Sequence, residues 1–206
     1  MLKRKKEGLI IVISAPSGVG KTTLCKRLLQ ALPFLTHSVS FTTRQPRKNE
    51  IEGIDYYFVS VEEFQKMIER KEFVEWTKVH GEFYGTSSVF LNKIIEGGKD
   101  AILEVDVKGG INIKEKYPQA TLIFLLPPSW EELEKRLRAR GTETNEKIKR
   151  RIKRAKKEIE YAVHYDYLVI NDKINDALED LFAIIRAERC RTTRTLSIEN
   201  LKRFIS

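Results

Sequence analysis

Cysteine is scarce in this chain: among 206 residues there are two. Cys25 and Cys190 stand far apart and in no C-x-x-C arrangement, which excludes a disulfide framework and a thiolate zinc site and fits a reducing cytosol. Histidine is almost as rare, with three in all. His37, His80 and His164 lie at no metal-ligand spacing and read as structural or surface residues. No apolar run approaches the ~20 residues that a membrane span needs, so no membrane partner is expected. LIIVISA follows KRKK in the manner of a secretory signal, but it is at the short limit for one and leads directly into a turn of a different kind. Internal repeats and low-complexity tracts are absent as well.

What is present describes a soluble globular protein of one domain, with room for an inserted subdomain. Hydrophobic residues make up 41% and charged residues 33%, with a formal net charge of +9. Much of the positive charge sits in KRKK and in NEKIKRRIKRAKKEIEYA. In the second of these, Ile148, Ile152, Ala155, Ile159 and Ala162 form an apolar stripe, so the lysines and arginines read as the solvated face of a helix. No nucleic-acid partner is expected from them, and the oligomeric state is left open.

Five apolar, β-branched stretches read as strands: LIIVIS (9–14), HSVSF (37–41), AILEVD (101–106), TLIFLL (121–126) and DYLVIN (166–171). Helical periodicity intervenes at 22–32, 107–116, 129–139, 146–164 and 174–189. Strands alternating with helices predict an α/β fold with a parallel sheet. Between Thr42 and Gly98 the pattern breaks into short strand-like pieces separated by two helical ones, which predicts a mixed α/β insertion. The expected organisation is a core of residues 1–41 and 99–190, an insertion over 42–98, a polar lid at about 136–147, and a basic tail over 191–206.

SAPSGVGKTT follows the first strand. In the pattern G-x-x-x-x-G-K-[ST], backbone N–H groups curl around phosphate oxygens, the lysine reaches the outer phosphates and the hydroxyl binds magnesium. Gly20, Lys21 and Thr22 match it, while Ala15 stands at the first position. Alanine is tolerable there if the backbone stays in an ordinary region. The loop Ala15, Pro16, Ser17, Gly18, Val19, Gly20, Lys21, Thr22 and Thr23 is therefore read as the binding site for a nucleoside triphosphate, with Mg2+ on Thr22. Glu104 and Asp106, two apart near the end of a strand, would share one face where open α/β sheets bind ligands. Tyr57 and Phe83 read as core packing.

SVSFTTRQPRKNEIEGIDYYFVS, EFVEWTKVHGEFYGTS, AILEVDVKGG and RLRARGTET with a later VIND resemble, in order and spacing, the guanylate kinases, a P-loop family of nucleoside monophosphate kinases. The resemblance implies a P-loop parallel-sheet core, a GMP-binding insertion, a short lid, and transfer of a phosphoryl group from ATP to GMP. Residue by residue it implies that Arg44, Arg47, Tyr56 and Tyr84 hold the acceptor phosphate, and that Ser40, Glu75, Thr86 and Asp106 hold its guanine. Lys21, Arg136, Arg140 and Arg151 would bear on the transferred phosphates, and Asn171 would sit near the adenine. The chemistry is consistent: the acceptor is already an ionised phosphate, so no general base is demanded, and arginine forks suit phosphate oxygens. Three other readings stand beside it: a P-loop kinase with another phosphorylated acceptor, a non-catalytic guanylate-kinase-like binding module, and a nucleic-acid binder.

Overall fold

The computed structural model describes residues 7–79, 81–139, 145–192 and residue 202. In chain order its elements are β1 (Ile10–Ser14), α1 (Lys21–Ala31), β2 (Leu35–His37), β3 (Phe41–Thr42), β4 (Tyr57–Phe58), α2 (Val61–Glu69), β5 (Phe73–Val79), β6 (Glu82–Ser87), α3 (Ser88–Glu96), β7 (Asp100–Glu104), α4 (Val107–Lys116), β8 (Thr121–Leu126), α5 (Trp130–Ala139), α6 (Asn145–Ile159), β9 (Tyr167–Ile170) and α7 (Ile174–Arg189). A 3-10 turn over Glu160–His164 follows α6. The fold is α/β, as the alternation of patterns predicts.

β1 lies at the centre of a five-stranded parallel sheet of order β2-β7-β1-β8-β9. A central parallel strand is covered on both faces and so has no polar side. Every residue of β1 is buried accordingly. The period of two divides its side chains between two cores. Ile11 and Ile13 pack with Leu24 and Leu28 of α1, Leu133 of α5 and Leu181 of α7. Ile10 and Val12 pack on the other face with Leu91 and Ile95 of α3 and Ile113 of α4.

The second sheet has the order β4-β3-β6-β5, with β3 parallel to β4 and the remaining pairs antiparallel. α2 covers it, seating Phe64 against Phe73 with ring centroids 4.5 Å apart and against Phe83 at 5.4 Å. Ser60 starts that helix by accepting a hydrogen bond from the Glu63 N–H at 3.1 Å, an ordinary N-cap. Tyr57 stacks on Phe41 at 4.8 Å, so the packing roles expected for Tyr57 and Phe83 hold. β5 joins the two parts. Its Phe73 belongs to the α2 core, its neighbour Val74 to the core shared by β1 and β7, and Lys116 of α4 donates to the Phe73 carbonyl at 3.2 Å.

Three expected elements are cut differently. HSVSF is not one strand: β2 ends at His37 and β3 begins at Phe41 in the other sheet. The chain changes sheets between them, with the Ser38 N–H bonded to Ile102 O at 3.0 Å and the Ser40 carbonyl accepting from Tyr57 N at 2.9 Å. AILEVD stops as a strand at Glu104, because Asp106 turns to cap α4. The pattern over 146–164 is an α-helix only to Ile159, and the last turn tightens.

Phe64 is fully buried at the centre of the smaller core. Phe64→Ala is expected to cost about 3–5 kcal/mol of stability in urea denaturation, the usual result of emptying a large core position. A loss under about 1 kcal/mol would mean that this core does not hold the second sheet.

Candidate active site

A cleft of about 770 Å³ opens where the carboxyl ends of β1 and β7 meet the second sheet and α6. Its lining includes Ala15, Pro16, Ser17, Gly18, Gly20, Lys21, Thr22 and Thr23 from the turn after β1. Ser40, Arg47, Tyr56, Glu75 and Tyr84 come from the second sheet and its loops, Glu104 and Asp106 from the end of β7, and Arg151 from α6. Ligands of open α/β sheets bind at this end of the strands.

Gly18 and Gly20 both have φ 99°, a region side chains rarely adopt, so the loop needs glycine at these two positions. Ala15 has no positive φ, which explains how alanine occupies the first position of the pattern. Gly20 is the N-cap of α1 and offers no side-chain cap, so the first amides of the helix are left for another acceptor. The loop is braced from behind: Asn171 Nδ2 donates to the Val19 carbonyl at 2.7 Å, both residues being buried. Lys21 Nζ donates to Val105 O at 3.0 Å, and the Thr22 hydroxyl donates to Glu104 Oε2 at 3.0 Å. Cys25 lies one turn along the same helix. Burial pushes its thiol well up and the Glu104 charge acts the same way, so it stays an unreactive thiol.

On the other wall, Arg44 donates through Nε to the Tyr84 hydroxyl at 3.2 Å and through Nη2 to both Glu50 oxygens at 2.8 and 3.0 Å. Glu50 Oε2 also accepts the Arg47 N–H at 2.8 Å. One carboxylate thus gathers donors from both arginines of TTRQPR. The Glu50 hydrogen bond in turn raises the Arg44 guanidinium further above its ordinary value. Tyr56 packs edge-on against Tyr84 at 5.9 Å and lies 5.5 Å beneath the Arg44 guanidinium.

Between these walls two carboxylates meet. Glu75 on β5 is 6% exposed and accepts a 2.7 Å hydrogen bond from the Thr86 hydroxyl on β6. Asp106 caps α4, accepting from the Gly109 N–H at 2.8 Å. Burial pushes the Glu75 carboxyl up to about 7, against the pull of Thr86 and with the push of Asp106. Glu104 and Asp106 do not share a strand face as their spacing suggests: Glu104 turns to Thr22 and Asp106 to the start of α4.

Not every expected residue lines the cleft. Thr86 acts on it through Glu75, Arg44 through Tyr84 and Glu50, and Val19 and Asn171 from behind the loop. Arg136 is engaged elsewhere, donating to Glu132 Oε1 at 2.9 Å, Asn171 O at 2.9 Å and Asp172 O at 3.2 Å. Arg140 and His80 lie outside the described residues, as do residues 140–144 of the expected lid and most of the tail. Conversely, Lys147, Arg150, Arg154 and Glu158 join Arg151 at the cleft. Their three- and four-residue spacing puts them on one flank of α6. That flank is therefore not the plain solvated face the charge pattern suggests. Glu50 carries no separate signal, because its work is to hold Arg44 and Arg47.

A glycine-turned loop with a lysine and a threonine at a helix start, facing an arginine- and tyrosine-rich wall across the buried Glu75 and the half-buried Asp106, defines a P-loop phosphotransferase. The family model for guanylate kinase matches residues 7–188. The chain is 49% identical over 192 residues to a guanylate kinase of Geobacter metallireducens, covering 93% of this chain and 95% of that one. It is 50% identical over 190 residues to one of Caldanaerobacter subterraneus, covering 92% of each. The crystal structure of guanylate kinase from Anaplasma phagocytophilum superposes with a TM-score of 0.81 at 35% identity, over 98% of this chain and 95% of that one. The chain belongs to the guanylate kinase family.

A carboxyl that is neutral longer in the folded protein than in the unfolded chain makes folding weaken as pH rises between its two values. Glu75 moves from 4.5 to about 7, so its penalty is absent at pH 4, grows through pH 5–7 and is complete by pH 8. Glu75→Gln is therefore expected to stabilise the ligand-free protein at pH 8, by about 3 kcal/mol at most, and to leave it unchanged near pH 4. Denaturation at the two pH values checks it. A Glu75→Gln protein that is less stable than the parent at pH 8 would contradict the burial argument.

Proposed function

We propose that the cleft holds ATP on the loop after β1 and GMP between the second sheet and α4, and that the enzyme transfers the γ-phosphoryl group of ATP to GMP, giving ADP and GDP. The observation that carries this reading is the buried Glu75 and the half-buried Asp106 in the same cleft as Lys21 and Thr22. An ionised carboxylate can only accept hydrogen bonds, and guanine offers N1–H and the N2 amino group on one edge. Adenine presents an unprotonated N1 there and no amino group. Ser40, at the point where the chain changes sheets, has a hydroxyl that can turn its proton toward guanine O6.

Arg44, Arg47, Tyr56 and Tyr84 hold the acceptor phosphate, which takes the place of the Glu50 carboxylate among these donors or shares them with it. The ammonium of Lys21 moves from the Val105 carbonyl to the phosphates, and Arg151, with Lys147, Arg150 and Arg154 beside it, neutralises charge from the α6 side. Arg136 and Asn171 support the loop from behind. The attacking atom is an ionised phosphate oxygen of the acceptor, so positioning and charge stabilisation do the catalysis and no histidine base is called for. The Thr22 hydroxyl and the Glu104 carboxylate are hard oxygen donors suited to Mg2+, which usually keeps most of its waters and takes few protein ligands. Bound there, the ion would neutralise charge on the ATP phosphates. The insertion over 42–98, which carries most of the second sheet, serves as the acceptor subdomain, and the reducing cytoplasm is the compartment that suits two unpaired cysteines.

ADP formation from ATP with GMP, AMP, CMP and UMP in parallel tests the reading. Strong preference for GMP is expected, because a site with buried polar groups rejects ligands that leave them unpaired, by about 10⁴-fold in favourable cases. Equal use of AMP would overturn it. Glu75→Gln should weaken GMP use by about 1–3 kcal/mol, with ATP binding little changed.

Lys21→Ala should abolish turnover while the thermal midpoint stays close to that of the parent, since the ammonium serves charge that develops in transfer. Turnover like that of the parent would remove Lys21 from its role.

A further inference from the structure

α4 opens Val107, Lys108, Gly109, Gly110. Glycine is the poorest helix former after proline, and neither of these two glycines has the positive φ that would call for it. Space explains both. A Cβ on Gly110 would stand 2.4 Å from the Tyr165 hydroxyl oxygen, whose proton goes to the Val107 carbonyl at 3.2 Å, so Gly110 serves packing. A Cβ on Gly109 would stand 2.8 Å from Glu75 Oε2, 3.2 Å from Glu75 Cδ and 3.3 Å from Asp106 Oδ1. The volume that a methyl group would fill is bounded by the two carboxylates of the acceptor site.

We propose that Gly109 is a positioning residue of the acceptor site: lacking a Cβ, it lets the Glu75 carboxylate close against the start of α4 beside Asp106, and so sets the spacing of the two groups that read the purine edge. It acts on both. Its N–H fixes the Asp106 oxygen at 2.8 Å, and its bare Cα admits Glu75, which reaches it from the other sheet with Thr86 holding the far oxygen. The site is thus assembled across the junction of the two sheets, and its width is set by a residue that touches no substrate.

An added methyl at this point has few ways to be accommodated. Asp106 is tied as the cap of α4, and Glu75 is buried, with Thr86 on one oxygen and Lys116 the facing cation. The carboxylate of Glu75 must therefore move by tenths of an ångström or rotate off its hydrogen bond. Two groups that match N1–H and N2–H together are sensitive to such a shift, while the phosphate loop, which Gly109 does not touch, is not.

The inference rests on the guanine assignment of Glu75 and Asp106, and the experiment separates the two. Steady-state kinetics of Gly109→Ala should show the KM for GMP raised about tenfold, with kcat and the KM for ATP within about twofold of the parent. Alanine is a better helix former than glycine, which offsets part of the cost of moving Glu75, so the protein should stay folded with only a modest change in thermal midpoint. Shortening the displaced side chain should give relief. Glu75→Asp should be impaired alone, yet in combination with Gly109→Ala it should recover at least about threefold in the KM for GMP over Gly109→Ala. An unchanged KM for GMP in Gly109→Ala overturns the proposal. So does a parallel fall in kcat and ATP binding, a loss of fold that Glu75→Asp does not restore, or a double variant no better than Gly109→Ala. Failure of the guanine assignment looks different: Glu75→Gln, with Gly109 intact, would then leave GMP kinetics untouched.

Discussion

A carboxylate taken out of water beside another carboxylate is stable only where donors surround it or a proton neutralises it, and the placement of Glu75 obeys that constraint. The Thr86 hydroxyl is one donor. Burial pushes the group up to about 7, so below that pH a proton meets the rest of the demand, and in the proposed complex with GMP the donor edge of guanine would meet it. On that proposal the cost of burying the group would be turned into selectivity, because a ligand that brings no donors leaves the charge unpaired. The arrangement depends on the docking of β5 against α4, through Val74 in the main core and Lys116 on the Phe73 carbonyl. Without that docking Glu75 would be a solvated surface acid with an ordinary titration.

The phosphate side follows the opposite logic with the same economy. Cations in and beside the cleft are held by internal acceptors: Lys21 by the Val105 carbonyl, Arg44 by Glu50, and Arg154 by Glu158 at 2.7 Å. These partners keep long, flexible side chains near the geometry that they need and limit the repulsion among them. On the proposed reading a phosphate would exchange one set of hydrogen bonds for another rather than ordering free side chains. The loop itself is turned by two positive-φ glycines and braced by Asn171 behind Val19.

Much of the core was legible in the sequence because the signal is local. A run such as IIVIS between polar flanks, followed by a glycine-rich turn and a helical period, needs no tertiary information to be read as strand, loop and helix. Ala15 in the phosphate loop was also readable, since the expected condition was an ordinary backbone and that is what it has. The order of strands, by contrast, is set by crossovers that no local pattern encodes. The break at Ser38–Ser40 was hidden because HSVSF alternates like a strand on both sides of the point where the chain changes sheets. Asp106 was hidden for a similar reason: two residues past Glu104 it looks like a strand position, yet its side chain is captured by the Gly109 N–H. The cleft-facing flank of α6 and the anchoring of Arg136 on the Asn171 and Asp172 carbonyls depend on which neighbour packs where. Lysines and arginines at those positions read alike whether they face water or a cleft.

The junction of the two sheets holds a carboxyl at Glu75 whose burial keeps it partly protonated near pH 7, and on the proposed reading guanine supplies the donors that ionise it. Site-resolved carbon NMR of the labelled Glu75 carboxyl, followed through pH with and without GMP, tests it directly. A midpoint of about 7 is expected in the ligand-free protein, and a carboxyl that stays ionised well below that pH once GMP is bound. A midpoint at the ordinary value of 4.5 without ligand, or one that GMP leaves in place, would contradict it.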